Sequence, residues 1–289
     1  MAWSLSERFS GIEHAEQAIV LFEKAGNKRW LAYAYMNLMM CHKFDADPSE
    51  AKEYIESALV MARLAGDKWC EAAVLRHKGI HLDQLVGGME GVKFLEEGLA
   101  LARKVGERAS IGLTLLYLGG IYCRAGKLER AEDLAREGIA VYEELRDRRG
   151  RSIGLVTLGS IYKQRAEWDL AGGCCREALE ILVRELGIRW FVPKCLEGLA
   201  AKAWAEGNYR QAARIFGAAD ADRERHMSTS PAWAIHEYDD VRDSVRSELG
   251  DQAYSVEWGK SSALSGKDVM EFAQAQCMLS RSDVSQNRA

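Results

Sequence analysis

The chain has 289 residues, 48% of them hydrophobic and 28% charged, which suits one large or two ordinary folded domains and excludes a disordered chain. The 39 Lys and Arg against 43 Asp and Glu leave a formal charge of −4, which argues against direct nucleic-acid binding, since that needs a concentrated basic surface. Only 3 prolines beside abundant Ala, Leu, Glu and Arg point to helices throughout. No run approaches the roughly 18 apolar residues of a membrane span.

At the N-terminus Glu7 and Arg8 stand where a signal peptide needs apolar residues, so a cytoplasmic location is expected. Ala15, Ala18, Ile19, Phe22 and Ala25 then recur at helical spacing. They read as the second helix of a pair whose first helix has too few residues ahead of it. The expectation is a longer parent polypeptide.

From there the sequence repeats. Lys78-Gly79, Leu118-Gly119, Leu158-Gly159 and Leu199-Ala200 follow one another at steps of 40, 40 and 41 residues, with Leu38-Met39 as a degenerate earlier copy. Gly26, Gly66, Gly106 and Gly187 form a second landmark on the same period, with Arg146 at the missing place. Within a unit the pattern is helix, turn, helix. Leu155, Leu158, Gly159 and Tyr162 form one apolar stripe. Gln164 to Glu167 break it, and Ala171, Cys175, Ala178, Leu179 and Leu182 form a second stripe. One such pair cannot bury both faces, so the pairs must stack.

These Leu, Leu-Gly, Tyr and Ala positions resemble the tetratricopeptide repeat, without its late proline and with a longer period. The resemblance implies an all-α fold: a right-handed α-α superhelical solenoid of tetratricopeptide-like helix pairs, about 40 residues each. After the last clear repeat come Arg214-Ile215-Phe216-Gly217-Ala218-Ala219, a turn at Pro231, a helix around Tyr238 to Leu249, and Leu249-Gly250-Asp251. This order is similar to the end of the helical sensor region in bacterial LuxR-, MalT- or AfsR-type signal-transduction ATPase regulators. A C-terminal helical cap is expected, with Trp233, Tyr238, Tyr254, Trp258 and Phe272 covering the last repeat. The expected organisation is a repeat array over 1–226 with an incomplete first repeat, a cap over 227–279 and a flexible tail over 280–289.

Catalytic and metal-binding patterns are not assembled. The nearest string to a phosphate-binding loop, Gly120 to Leu128, has one residue too many and ends in Leu, so it reads as a repeat turn. His77 and His81 stand four apart, but Lys78 follows His77 where a zinc hydrolase carries Glu. His226 and His236 flank the Pro231 turn without a metal-site pattern. The seven cysteines include no CxxC; packing thiols are the reading, with Cys174–Cys175 as the one redox alternative. No enzyme, cofactor or metal is expected.

If the tetratricopeptide register holds, the first helix of each pair lines a concave surface, and its outward positions are the recognition candidates. They are Tyr33, Lys43, Arg76, Asp83, Arg124, Lys163, Lys194, Glu197 and Trp204, with Ser160 beside Lys163. Cations interleaved with apolar and aromatic groups suit a carboxylate, a phosphate or a peptide. The resemblance then implies a non-catalytic binding or sensor scaffold of a bacterial transcriptional or signal-transduction regulator. Its partner would be a protein, a peptide or a small-molecule effector, with an ATPase module in the same parent polypeptide. The alternatives are a free-standing adaptor for protein–protein interaction and, further off, a peptide-regulated phosphatase or hydrolase.

Overall fold

A computed structural model describes residues 5–42, 49–86, 88–187, 191–225, 237–265 and 267–276. Their regular structure is helical: α1 Leu5–Lys24, α2 Lys28–His42, α3 Ser49–Ala65, α4 Lys68–Val86, α5 Val92–Val105, α6 Arg108–Arg124 and α7 Leu128–Glu144. Next come α8 Arg148–Gln164, α9 Trp168–Glu180 running on through a π turn at Ile181–Glu185, α10 Val192–Ala205 and α11 Tyr209–Arg225. The last three are α12 Asp239–Leu249, α13 Asp251–Ser262 and α14 over 267–276. Consecutive helices pack in pairs, the arrangement of an α-solenoid, and no described helix is long and apolar enough to cross a membrane. The chain divides into two compact units, Met1–Ile121 and Tyr122–Ala289.

The 40-residue spacing is written into the turns. Helices α2, α4, α6 and α8 begin at Lys28, Lys68, Arg108 and Arg148, each 40 residues after the last. Ahead of each start stands a left-handed residue, Gly26, Gly66, Gly106 or Arg146, with φ of 62°, 68°, 73° and 54°. Its N–H bonds back three residues and that of the next residue bonds back five, as in Asn27 N–H to the Phe22 carbonyl and Asp147 N–H to that of Tyr142. This pair of bonds satisfies the carbonyls that a helix end leaves open. The following residue then caps the new helix. Asn27, Asp67, Glu107 and Asp147 accept the N–H of Trp30, Cys70, Ser110 and Gly150 at 3.2, 3.0, 2.6 and 3.0 Å. One residue thus ends a helix and its neighbour starts the next.

The turns inside the later pairs repeat the helix-ending half of this device at Gly126, Ala166 and Gly207, with φ of 72°, 57° and 77°, but Lys127 and Glu167 supply no side-chain cap. A side chain in this region costs about 1–2 kcal/mol, which glycine avoids at some cost in chain entropy. Ala166→Gly is therefore expected to stabilise the protein by about 0.5–1 kcal/mol, read as a higher Tm in calorimetry.

In the first unit Ala32, Met39, Ile55, Leu59, Val74 and Leu75 are among the residues that close a core between α2, α3 and α4. In the second, a larger core runs from α8 to α14 and takes in Leu179, Leu196, Phe216, Tyr238, Val245 and Val269. Bare backbone lets these helices approach. A β-carbon on Gly159 would lie 3.1 Å from Cys175 Sγ, and one on Gly217 would run into the Trp258 carbonyl, so α13 lies directly along α11. Tyr238 and Tyr254 are buried, and Trp258 and Phe272 pack half-buried on the same core. Trp233, Pro231, His226, His236 and Lys43 lie outside the described residues. Burial pushes the thiols of Cys70 and Cys175 up to about 12 and those of Cys123 and Cys174 up to about 11, so they stay protonated and pack as apolar groups.

Candidate functional site

Within Met1–Ile121 the expected groove residues go to different places. Tyr33, on α2, donates its hydroxyl to Asp67 Oδ2 at 3.2 Å, and its ring stands 5.5 Å from Trp30 and 5.8 Å from Trp69. Asp67 is the capping residue of α4 and also pairs with Arg29 at 2.7 Å. Burial opposes its charge, yet the Cys70 N–H and Arg29 hold its carboxyl below the usual range. Tyr33 therefore braces a repeat turn. Arg76, on α4, donates to the Ser110 hydroxyl of α6 and lies beside His77. Asp83 is 5% exposed. Arg76 and Asp83 both act electrostatically on Tyr117, whose hydroxyl burial pushes up.

The second unit holds a denser arrangement. Positions i and i+3 share a helix face, so α8 presents Ser160 with Lys163 and α10 presents Lys194 with Glu197. Helix α10 touches both α8 and α12. Across this face lies the segment Glu237–Tyr238 and the start of α12. Lys194 Nζ meets Glu237 Oε2 at 2.5 Å, and the Ser160 hydroxyl, which donates to the Val156 carbonyl at 3.3 Å, lies near enough to the same carboxylate to favour its charge. Lys163 Nζ donates to the Glu237 main-chain carbonyl at 2.5 Å and to Asp240 Oδ1 at 3.0 Å, and sits 5.1 Å over the Tyr238 ring. Burial works against the Lys194 ammonium, but Glu237 overrides it and raises its pKa. The Glu237 carboxyl, equally opposed by burial, is held below the usual range by Lys194, Ser160 and Lys163. Both charges stay ionised because each is the other's partner.

Glu197 opens a second, contiguous network. It is 1% exposed and is bonded by Arg223, with Arg242 at 3.5 Å. Asp220 binds Arg242 Nη1 at 2.5 Å, Arg223 Nη1 at 3.0 Å and Trp258 Nε1 at 2.9 Å. Arg242 also lies 4.6 Å over the Phe216 ring. Burial pushes the Glu197 carboxyl up to about 7 against the pull of the two arginines. Folded Glu197 thus keeps a proton that the unfolded chain has lost between its ordinary 4.5 and about 7, so its contribution to stability falls as pH rises through that window. The wild type should lose about 1–3 kcal/mol relative to Glu197→Gln between pH 5 and 7.5, measured by urea denaturation.

Of the other expected residues, Arg124 lies within electrostatic reach of Lys194 and Cys123, so it adds positive potential to the cluster. Trp204 makes an edge-to-face contact with Trp168 of α9, centroids 5.3 Å apart, and is part of the helix packing. The repeat register could not supply Glu237, Asp240 or Arg242, because they follow the repeats. Asp220 and Arg223 follow directly on the Arg214 to Ala219 motif, yet only their pairing shows what they do.

Two lysines of α8 and α10 thus meet one short segment, Lys194 at the Glu237 carboxylate and Lys163 at the Glu237 main-chain carbonyl and Asp240, with the Tyr238 ring alongside. No described cluster of His, Cys, Asp and Glu has the arrangement of a metal site. No protein-family model and no curated protein matches the chain. Among solved structures it is similar to the crystal structure of BtubC (BKLC) from P. vanneervenii. The TM-score is 0.60 at 17% identity, covering 78% of this chain and 92% of that one. At that identity the likeness is one of fold, and it sets this chain among proteins built of stacked helix pairs.

Proposed function

We propose that the protein is a non-catalytic binding module, the recognition scaffold of a bacterial signal-transduction or transcriptional regulator. Its partner is a protein segment rich in carboxylates, taken on the face formed by α8 and α10. The observation that carries this reading is the convergence of Lys194 on a carboxylate and of Lys163 on the main-chain carbonyl of the same residue. Charge-assisted bonds to the side chain together with a bond to the backbone are how a peptide is read. The regulator assignment rests on the resemblance of the repeats and of the segment after Arg214. Binding is favoured over turnover because Glu237 is engaged in an ion pair with Lys194 and the buried thiols are held protonated.

A thermal-shift screen of the whole chain tests this, since a ligand that binds the native state raises Tm by mass action. The panel holds acidic peptides, basic peptides, nucleotides, phosphosugars and acyl-CoAs. Acidic peptides are expected to be the class that raises Tm. A response confined to any other class overturns the reading.

A further inference from the structure

The α8–α10 face already holds a segment with the chemistry just described, and that segment belongs to the chain itself. We propose that Glu237-Tyr238-Asp239-Asp240 is a resident ligand of this face, and that a partner peptide of the same pattern, a carboxylate followed by an aromatic residue and further acids, binds by replacing it. The inference deepens the binding-module reading and rests on it.

Four features of the contact carry it. Lys163 and its two acceptors are 74 and 77 residues apart in sequence, so the contact comes from docking one segment onto another. Recognition is divided as in a bound peptide, with Lys163 on the main-chain carbonyl, Lys194 on the Glu237 side chain, and Lys163 again on Asp240. Tyr238 anchors the segment as a buried aromatic side chain, 2% exposed within the core of this unit. Finally, the charges complement each other. Lys163, Lys194 and Arg124 face a segment with three carboxylates, and the Asp240 side chain is 68% exposed at the open edge of the contact.

The segment is also held from behind. Arg242 is bound to Asp220 two residues after Asp240, which keeps the local concentration of the segment high. A free peptide must compete with that concentration, so the intact chain should bind it weakly and a chain with a disabled segment should bind it well.

The probe is a fluorescein-labelled peptide of residues 235–242, Ile-His-Glu-Tyr-Asp-Asp-Val-Arg, titrated against the full chain by anisotropy. The Glu237→Gln, Asp240→Asn chain is expected to bind it at least tenfold more tightly than wild type, and the added changes Lys163→Gln and Lys194→Gln should abolish that gain. Equal affinity of the disabled and wild-type chains, both folded by circular dichroism, overturns the proposal. If the double variant unfolds, Asp240→Asn alone is used with hydrogen exchange. Exchange at 237–240 that quickens in this variant and quickens further with added peptide, while α10 and α11 stay protected, supports replacement. Exchange unchanged by peptide refutes it. The two readings fail separately. Acidic peptides that raise Tm while the 235–242 peptide gains nothing from the disabled segment leave the binding module standing and remove the resident ligand. The converse pattern identifies a purely internal latch and removes the binding module.

Discussion

Replacing Asp220 by Ala is expected to destabilise the Tyr122–Ala289 unit by about 3–5 kcal/mol, the range found when one member of a buried charged network is removed. Asp220 is the acceptor for three helices at once. From α12 it takes both terminal nitrogens of Arg242, at 2.5 and 3.1 Å, from its own helix Arg223 at 3.0 Å, and from α13 the Trp258 N–H at 2.9 Å. The two arginine side chains are only 18% and 22% exposed, so water replaces little of what the carboxylate provided. Two guanidinium groups are then left with Glu197, which keeps its proton up to about pH 7, as their remaining carboxyl partner. Asp220→Asn keeps one oxygen acceptor and the shape, and should lose clearly less. Urea denaturation gives the difference, and hydrogen exchange should show α12 and α13 opening before α11. An alanine variant that melts with the wild type would mean the network contributes nothing to holding these helices.

Gly198→Ala should cost about 1–3 kcal/mol although it adds only a methyl group. A β-carbon on Gly198 would overlap Cys175 Sγ, lie 3.2 Å from Cys175 Cβ and stand 3.4 Å from the Tyr238 hydroxyl. Cys175 is 2% exposed and Tyr238 is 2% exposed, so neither has free space to move into. The strain has a specific relief. In a Cys175→Ala background the overlapping sulfur is gone, and Gly198→Ala should then cost less than half as much, a positive coupling in a double-mutant cycle. Additive losses would place the strain elsewhere.

The repeat was legible because its causes are local. A left-handed residue followed by a capping Asn, Asp or Glu needs only a few neighbouring residues, so Gly26-Asn27, Gly66-Asp67, Gly106-Glu107 and Arg146-Asp147 announce their helices in the sequence. Even the non-glycine Arg146 was found by its place in the period. The register also placed Ser160, Lys163, Lys194 and Glu197 on the faces of α8 and α10 that meet one segment. It did not tell which of the chosen residues would serve the packing instead. Tyr33 goes to the Asp67 cap and Trp204 to Trp168, because an outward position on an isolated pair becomes an inward one where a neighbouring turn or ring covers it.

The sequence by itself determined the helices, the turns that separate them at 40-residue steps, and the small residues that let paired helices meet. These follow from φ preferences, caps and helical periodicity, all of which act over a few residues. Only the tertiary structure decided that Lys163 and Lys194 meet Glu237, that Asp220 gathers Arg223, Arg242 and Trp258, and that Gly198 makes room for Cys175. Opposite charges attract at any sequence separation and leave no period behind. Their partners are chosen when the segment after α11 folds back onto the helices before it.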